Sequence, residues 1–235
     1  MRPVIKVLFT NICNIVRREN RFVVKVRAGS QFENAYINNT GRLHDILVPG
    51  RKAYCMESSG RKTKYRLIAV EDRGFAALID TRIQEEVFRI LVEKRMISWL
   101  TQCSILRRMP RLGQSVLDYL VECNNTKRIY VELKSAVLRG DDKYAMYPDC
   151  PSLRGRRHIQ ELISHVEMGG HGIIVFIAAL PYVEYFKPNK DADPIIAELL
   201  RKAKNRGVIV KSINIIYNPV DHYIYLVNDD LPVNI

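Results

Sequence analysis

The sequence predicts an α+β protein of two domains, a small all-β barrel over residues 1–80 and an α/β sandwich over residues 81–235. Three observations predict it. The first 80 residues break into short strand-like runs at close spacing. From Thr81 onward, helical periodicity alternates with strand-like runs. The positive charge is concentrated in the first stretch, which holds 15 basic and 7 acidic residues, a net of +8, against 22 and 18, a net of +4, in the remainder. A chain of 235 residues suits one large domain or two small ones at roughly 100–200 residues each.

In the first domain the strand-like runs are Phe22 to Val26, Asn34 to Ile37, Ala53 to Met56, Leu67 to Val70 and Phe75 to Ile79. Gly29-Ser30, Asn38-Asn39-Thr40-Gly41, Pro49-Gly50, Ser58-Ser59-Gly60 and Asp72-Arg73-Gly74 supply the breaks between them. About five strands in so short a stretch fit an OB-type barrel, a fold often used on single strands of nucleic acid. In the second domain Ile83, Val87, Ile90, Leu91 and Ile97 recur at helical spacing, with Glu85, Glu86, Arg89, Glu93 and Lys94 on the other side. Two strand-like runs follow, Val116 to Val121 and Ile129 to Leu133. A second helix is expected from Leu153 to Glu167, and a buried strand from Ile173 to Ala178. A third helix is expected from Pro194 to Asn205, with proline at its start and Gly207 beyond its end. Val208 to Ile216 reads as a further strand. Strands alternating with helices imply a sheet covered on both faces.

Composition narrows the function. Residues of the set AVILMFWYC make up 47% of the chain and charged residues 26%, a globular balance. The longest apolar run, Ile173 to Leu180, stops at Pro181, far short of the about 20 residues of a spanning helix. Charges interrupt the N-terminal apolar stretch, so no secretory signal is visible, and a cytoplasmic protein without a membrane partner is expected. Cys13, Cys55, Cys103, Cys123 and Cys150 are scattered without a C-x-x-C pair, which argues against a zinc ribbon or a disulfide framework and for a reduced protein. The net charge of +12 suits a polyanionic partner, nucleic acid above all.

The residues from Ser115 to Ser135 carry the chemistry. Asn124-Asn125-Thr126 is a turn signal between two strand runs. A hairpin centred on Asn125 places Asp118 directly across from Glu132. Like charges in opposed positions destabilise a sheet unless a cation lies between them. Glu132 and Lys134 share one face because side chains alternate along a strand. Two carboxylates and an ammonium therefore converge on one patch. Magnesium takes oxygen ligands, often one or two carboxylates plus water and phosphate oxygens, and can polarise a phosphodiester and activate water. Lys134 can orient or deprotonate that water, or stabilise developing charge. The arrangement D-x13-E-x-K is the pattern of the PD-(D/E)xK nucleases. On spacing alone, a solvated face with a cross-strand salt bridge fits the same residues.

Further motifs agree along the chain. Arg21-Phe22, Asn39-Thr40-Gly41-Arg42-Leu43, Lys62-Thr63-Lys64-Tyr65, Asp80-Thr81, Val131-Glu132-Leu133-Lys134-Ser135, Tyr147-Pro148-Asp149 and Arg154-Gly155-x-x-His158 occur in an order that resembles the sugar fermentation stimulation protein A family. The resemblance implies an N-terminal OB-like domain, a C-terminal restriction-endonuclease-like α/β/α domain and DNA binding. It departs at Asn38, where the family has proline, at Gln84-Glu85, where it has Pro-Asn, and at Leu153, where it has glutamate. Glu86, on the first helix, is the local candidate for a third carboxylate.

The basic segments name the expected nucleic-acid contacts. Arg17, Arg18 and Arg21 flank a turn, and Arg61, Lys62, Lys64 and Arg66 surround Tyr65, a cationic groove with an aromatic platform. A solvated turn with a partly buried Tyr65 is the plainer alternative. Arg42 follows a donor-rich turn that can meet phosphate or serve as turn chemistry alone. Arg154, Arg156, Arg157 and His158 cluster at the start of the second helix, where exposed N–H groups attract phosphate and cations disfavour the helix itself. His158 fits a proton shuttle and a core or capping histidine equally. Asp149 fits a turn residue or an acid near the carboxylate patch. Two functions follow: a DNA-binding protein with a Mg2+- or Mn2+-dependent phosphodiesterase site at Asp118, Glu132 and Lys134, or a non-catalytic DNA-binding regulator of sugar-catabolic gene expression.

Overall fold

The computed structural model describes residues 1–58, 62–124 and 126–235. Arg61 and the hairpin centre Asn125, both singled out above, lie outside the described residues, as does part of the Ser58-Ser59-Gly60 turn. The strands of the N-terminal half are β1 (Arg2–Lys6), β2 (Asn11–Asn20), β3 (Val23–Ala28), β4 (Gln31–Tyr36), β5 (Lys52–Glu57), β6 (Tyr65–Asp72) and β7 (Phe75–Leu78). Helix α1 (Thr81–Glu93) follows, then β8 (Cys103–Arg108), β9 (Arg111–Leu112), β10 (Ser115–Val116), β11 (Tyr119–Cys123), β12 (Lys127–Ala136), β13 (Leu138–Gly140) and β14 (Tyr144–Tyr147). The chain ends with α2 (Leu153–Glu167), β15 (Gly172–Ala178), β16 (Tyr185–Pro188), α3 (Pro194–Asn205), β17 (Ile209–Asn218) and β18 (Tyr223–Asn228).

Strands β4-β3-β2-β5-β6 hydrogen-bond in that order, and a parallel β4–β6 pairing (Ala35 opposite Tyr65) closes them into a five-stranded OB barrel. Alternation builds its core. Val24, Val26 and Ala35 are fully buried, while Lys25, Arg27 and Asn34 alternate with them and face outward. Two features differ from the sequence expectation. β2 runs through Arg17-Arg18 to Asn20, so the turn falls at Arg21-Phe22. Register shifts between Ile15 and Arg17 and between Arg18 and Asn20 break the two-residue pattern that would have revealed this strand. Residues of β1 pair with β18, so the first strand belongs to the C-terminal sheet and not to the barrel.

The C-terminal half is built on parallel strands β12, β15 and β17, extended by antiparallel β11 and β8 on one side and by β18 on the other. β15 is buried along its whole length, which explains its unbroken apolar sequence. Helix α1 packs on the Tyr119 side of the sheet, where Phe88 meets Tyr119 at 5.6 Å between ring centroids. Helix α2 covers the opposite face, where His158 reaches Glu132. The three helices start where a side chain satisfies the first free N–H groups. Asp80 accepts from Ile83 N at 3.0 Å, Ser152 from Gly155 N at 3.0 Å, and Asp193 from Ile196 N at 3.2 Å. The barrel and the sandwich share one continuous sheet, because β7 pairs with β6 and, at Ala76–Tyr217, with β17.

The cysteine expectation needs correction. Cys103 and Cys123 oppose each other across β8 and β11, with Cα atoms 4.0 Å apart, and form a disulfide. No local spacing rule shows a pair twenty residues apart that an edge-strand register brings face to face. Cys13, Cys55 and Cys150 are free thiols. Among the described residues no helix is long and apolar enough to cross a membrane.

Candidate active site

Glu132 and Lys134 lie two apart on β12, so they share a face, and the central position of that strand buries both. Asp118 stands immediately before β11. Tyr119 opposes Val131 and Cys123 opposes Lys127, a register that continues to place Asp118 beside Glu132. Asp118 Oδ2 accepts from the Leu133 backbone N–H at 2.6 Å. The structure therefore brings together the three residues that the sequence singled out.

Donors surround Glu132 unevenly. Its Oε1 accepts from Lys134 Nζ at 2.5 Å and meets His158 Nδ1 at 2.6 Å. Arg154 Nε donates to His158 Nε2 at 3.3 Å, so the ring proton sits on Nδ1 and points at Glu132. Oε2 of Glu132 is buried and accepts no hydrogen bond within the described residues. A buried carboxylate oxygen without a partner is costly, and it suits a cation approaching from the open side. The expectation that His158 lies among the nucleic-acid contacts is thus corrected. It is 1% exposed and holds Glu132 from the core side of α2.

Electrostatics separate the two carboxylates. Burial first, and then the Glu132 charge, pushes the Asp118 carboxyl up to about 8. Burial acts on Glu132 in the same direction, but the Lys134 charge and the His158 hydrogen bond outweigh it and hold Glu132 below the usual carboxylate range. Burial pulls the Lys134 ammonium down, while Glu132 more than compensates and holds it above its ordinary value. Without a further cation, this arrangement keeps Glu132 and Lys134 charged and favours a proton on Asp118.

A cleft of about 280 Å³ opens on these groups and is lined from both halves of the chain. Glu85 of α1 reaches it, half-buried, with its carboxyl pushed up chiefly by burial. Glu86, the expected third carboxylate, instead pairs with Arg89 along the helix. The signal lay in the helical pattern, since Glu85 stands three residues before the core residue Phe88 and so borders the buried stripe. From the barrel, residues 38–41 and Leu43 form one wall. Asn38 donates to Asp80 Oδ1 at 2.8 Å and accepts from Thr81 N at 2.9 Å, and Asn39 donates to Ser135 Oγ at 3.2 Å. Asp149 Oδ2 accepts from Leu43 N at 2.8 Å, which fixes Asp149 as a tie between the halves. Gly41 is needed here, since a Cβ would lie 2.5 Å from the Asp149 carboxylate oxygens. Arg18 donates to the carbonyls of Gly41 and Arg42 and holds this wall from behind.

The basic residues divide. Arg21 and Arg154 line the cleft, Arg42 lies in an adjoining groove beside Arg21, and all three are exposed. Arg157 is exposed and donates to Ser115 Oγ at 3.3 Å. Lys62 is exposed, and Lys64 is exposed and paired with Glu33 at 2.8 Å. Two expectations fail. Tyr65 is buried, because the β4–β6 closure turns it into the barrel beside Ala35, and it offers no platform to a base. Arg156 is committed to the buried N-cap of α3, Asp193, at 3.0 Å and is not a free phosphate ligand. Among the described residues no group of three or more His, Cys, Asp or Glu side chains is gathered for a metal. The donors present are the free Oε2 of Glu132 and the Asp118 carboxylate, a pair that fits a hard cation completing its shell with water and phosphate oxygens.

Known proteins match this chain along its length. Residues 82–220 match the sugar fermentation stimulation protein RE domain, and residues 16–79 match the SfsA N-terminal OB domain. A sugar fermentation stimulation protein homolog from Pyrococcus furiosus is 50% identical over 203 residues, covering 86% of this chain and 87% of that protein. One from Archaeoglobus fulgidus is 41% identical over 221 residues, 94% of each. The solved structure of Pyrococcus furiosus SfsA in complex with Ca2+ superposes with a TM-score of 0.94 at 46% identity, covering 100% of both chains.

Proposed function

The chain belongs to the sugar fermentation stimulation protein family, and from that premise we propose that it binds DNA and hydrolyses phosphodiester bonds at a divalent-cation site formed by Asp118 and Glu132. The observation that carries this reading is the buried, partnerless Oε2 of Glu132, a residue that lines a cleft with Arg21 and Arg154 exposed at its rim. The Pyrococcus furiosus relative was solved with Ca2+, another oxygen-seeking divalent ion, which supports a cation on this scaffold. Mg2+ or Mn2+, when bound, would supply Lewis-acid polarisation of a phosphoryl oxygen and a more acidic water.

The chain's own residues do the rest. Asp118 would hold such an ion as its ionised carboxylate, since an opposite charge nearby favours ionisation. His158 and Lys134 hold Glu132 by one oxygen and leave the other for the ion. Glu132 holds the Lys134 ammonium above its ordinary value, and as an ammonium it stabilises developing negative charge on the phosphate. Arg21 and Arg154 orient the DNA backbone at the cleft rim, with Arg42, Arg157, Lys62 and Lys64 adding to the positive surface. Residues 1–80 serve mainly as the DNA-holding part and 81–235 as the reacting part.

A cleavage assay on single- and double-stranded DNA with millimolar Mg2+ or Mn2+ tests this. Wild type should cleave, and Asp118→Asn and Glu132→Ala should not, while both variants keep DNA binding. Binding without cleavage under either ion would leave a DNA-binding regulator.

A further inference from the structure

Arg154 is exposed and lines the cleft, yet one of its nitrogens is turned inward. Its Nε donates to His158 Nε2 at 3.3 Å, and His158 Nδ1 lies 2.6 Å from Glu132 Oε1. Arg154 and His158 stand four apart on α2, which places them on one face of the helix. A guanidinium is a planar fork whose three nitrogens donate in different directions. With Nε on the ring, Nη1 and Nη2 of Arg154 remain, and among the described residues neither has a hydrogen-bond or ion-pair partner. Arg156 shows the alternative on the same helix, with its Nε and Nη2 both committed to the Asp193 carboxylate. An unbroken chain of contacts therefore runs from a free cationic fork at the cleft rim to Glu132, whose other oxygen, Oε2, has no partner.

We propose that Arg154 is a positioning residue that couples the two ligands of the cleft: a DNA phosphate on its free Nη groups fixes Nε against His158, and His158 in turn fixes Glu132 with Oε2 left for the cation. This rests on the reading that the protein binds DNA and a divalent ion, and adds that each raises the affinity for the other. An exposed arginine loses side-chain entropy when it is held in one geometry. DNA binding meets that cost, so the ion then finds the imidazole braced on both nitrogens and Glu132 already oriented. Linkage makes the effect reciprocal, and a bound ion favours the phosphate equally. The fork is essential to the coupling. Lysine would keep the charge but offers a single nitrogen at the end of an unbranched stem, in place of a rigid group that spans ring and phosphate.

The test is fluorescence anisotropy with a labelled DNA duplex, in EDTA and in Ca2+, the ion held by the Pyrococcus furiosus relative, at a concentration that saturates the thermal stabilisation of each variant. The ratio of the two dissociation constants measures the coupling, and comparison between variants cancels the screening that Ca2+ imposes on all of them. The wild-type ratio should exceed that of Arg154→Lys by about fivefold or more, the lower end of the range for coupled sites. In EDTA the two should agree within about threefold, because the charge that attracts phosphate is kept. His158→Ala removes the middle of the chain and should lower the ratio as far. Adding Arg154→Lys to it should lower the ratio no further, since two changes in one chain of contacts are not additive. Arg154 is exposed, so an unchanged melting temperature of Arg154→Lys shows that folding is intact, and this variant decides alone if His158→Ala does not fold. Equal ratios in wild type and Arg154→Lys, the result of a plain phosphate contact, overturn the coupling while leaving DNA and ion binding in place. A further loss in the double variant overturns the path through His158 and so the proposal. A wild type that binds no DNA, or whose melting temperature Ca2+ does not raise, overturns the reading of the site itself, and the coupling with it.

Discussion

Asp118 is the residue whose protonation the fold controls most visibly. Its carboxyl is raised from 3.8 to about 8, so the folded chain binds a proton that the unfolded chain has released. Its contribution to stability is therefore full below about pH 4 and is lost as pH rises toward 8. Asp118→Asn keeps an oxygen acceptor for Leu133 N but never ionises. Metal-free thermal melts should show the variant more stable than wild type above pH 8, by on the order of a few kcal/mol, with the gap closing toward pH 4. Mg2+ should raise the melting temperature of wild type alone, because only its folded state offers the second carboxylate. His158→Ala removes one of the two donors to Glu132 Oε1 and should cost about 1–3 kcal/mol in chemical denaturation. It should also raise the Mg2+ concentration needed for half-maximal thermal stabilisation. A solvated salt bridge between Glu132 and Lys134 would give neither metal response.

At the scale of the element, helix α1 is aimed by Asp80. That residue caps Ile83 N, accepts two bonds from Arg66 and one from Asn38, and is 1% exposed. Asp80→Ala strands a partly buried guanidinium and releases both the barrel wall and the helix that carries Glu85. Loss of about 3–5 kcal/mol is expected in urea unfolding, the range for breaking a buried pair from one side. The cleft should loosen with it, so cleavage should fall even where the variant remains folded. The Cys103–Cys123 disulfide closes the strands that deliver Asp118. Cys103→Ser with Cys123→Ser should lower stability by about 3 kcal/mol in the chain-entropy view, and reductant should act on wild type in the same direction.

At the scale of the molecule, the net charge of +12 and the cleft between the halves mean that the proposed DNA binding should be electrostatic, with a steep salt dependence. Each phosphate neutralised on a single strand contributes about −0.7 to the slope of log K against log salt, and about −0.9 on a duplex. Arg21→Gln with Arg154→Gln should flatten that slope by one to two such increments, measured by anisotropy titration over a salt series. Lys62→Gln with Lys64→Gln should flatten it less, since Glu33 already neutralises Lys64. An unchanged slope in both pairs would take the cleft rim and the barrel loop out of the binding surface.

Local sequence determined much of this protein. Proline at the start of α3 and glycine beyond its end set that helix to Pro194–Asn205, and apolar spacing set α2 to Leu153–Glu167. The Asn124-Asn125-Thr126 signal in the sequence set the register that pairs Tyr119 with Val131 and so brings Asp118 beside Glu132, because a two-residue repeat leaves little freedom once the centre is placed. Periodicity and turn residues act over a few neighbours and are written in those neighbours. Only the tertiary structure decided which groups are hidden or matched across the chain. Barrel closure buried Tyr65 and left Phe32 outside, though both are aromatic and flanked by charge. The packing of α2 turned His158 from the expected DNA surface toward Glu132, and that of α1 chose Glu85 over Glu86. An edge-strand pairing joined Cys103 to Cys123. Each of these depends on contacts between residues distant in sequence, where burial and opposition are properties of the assembled sheet and not of any window along it.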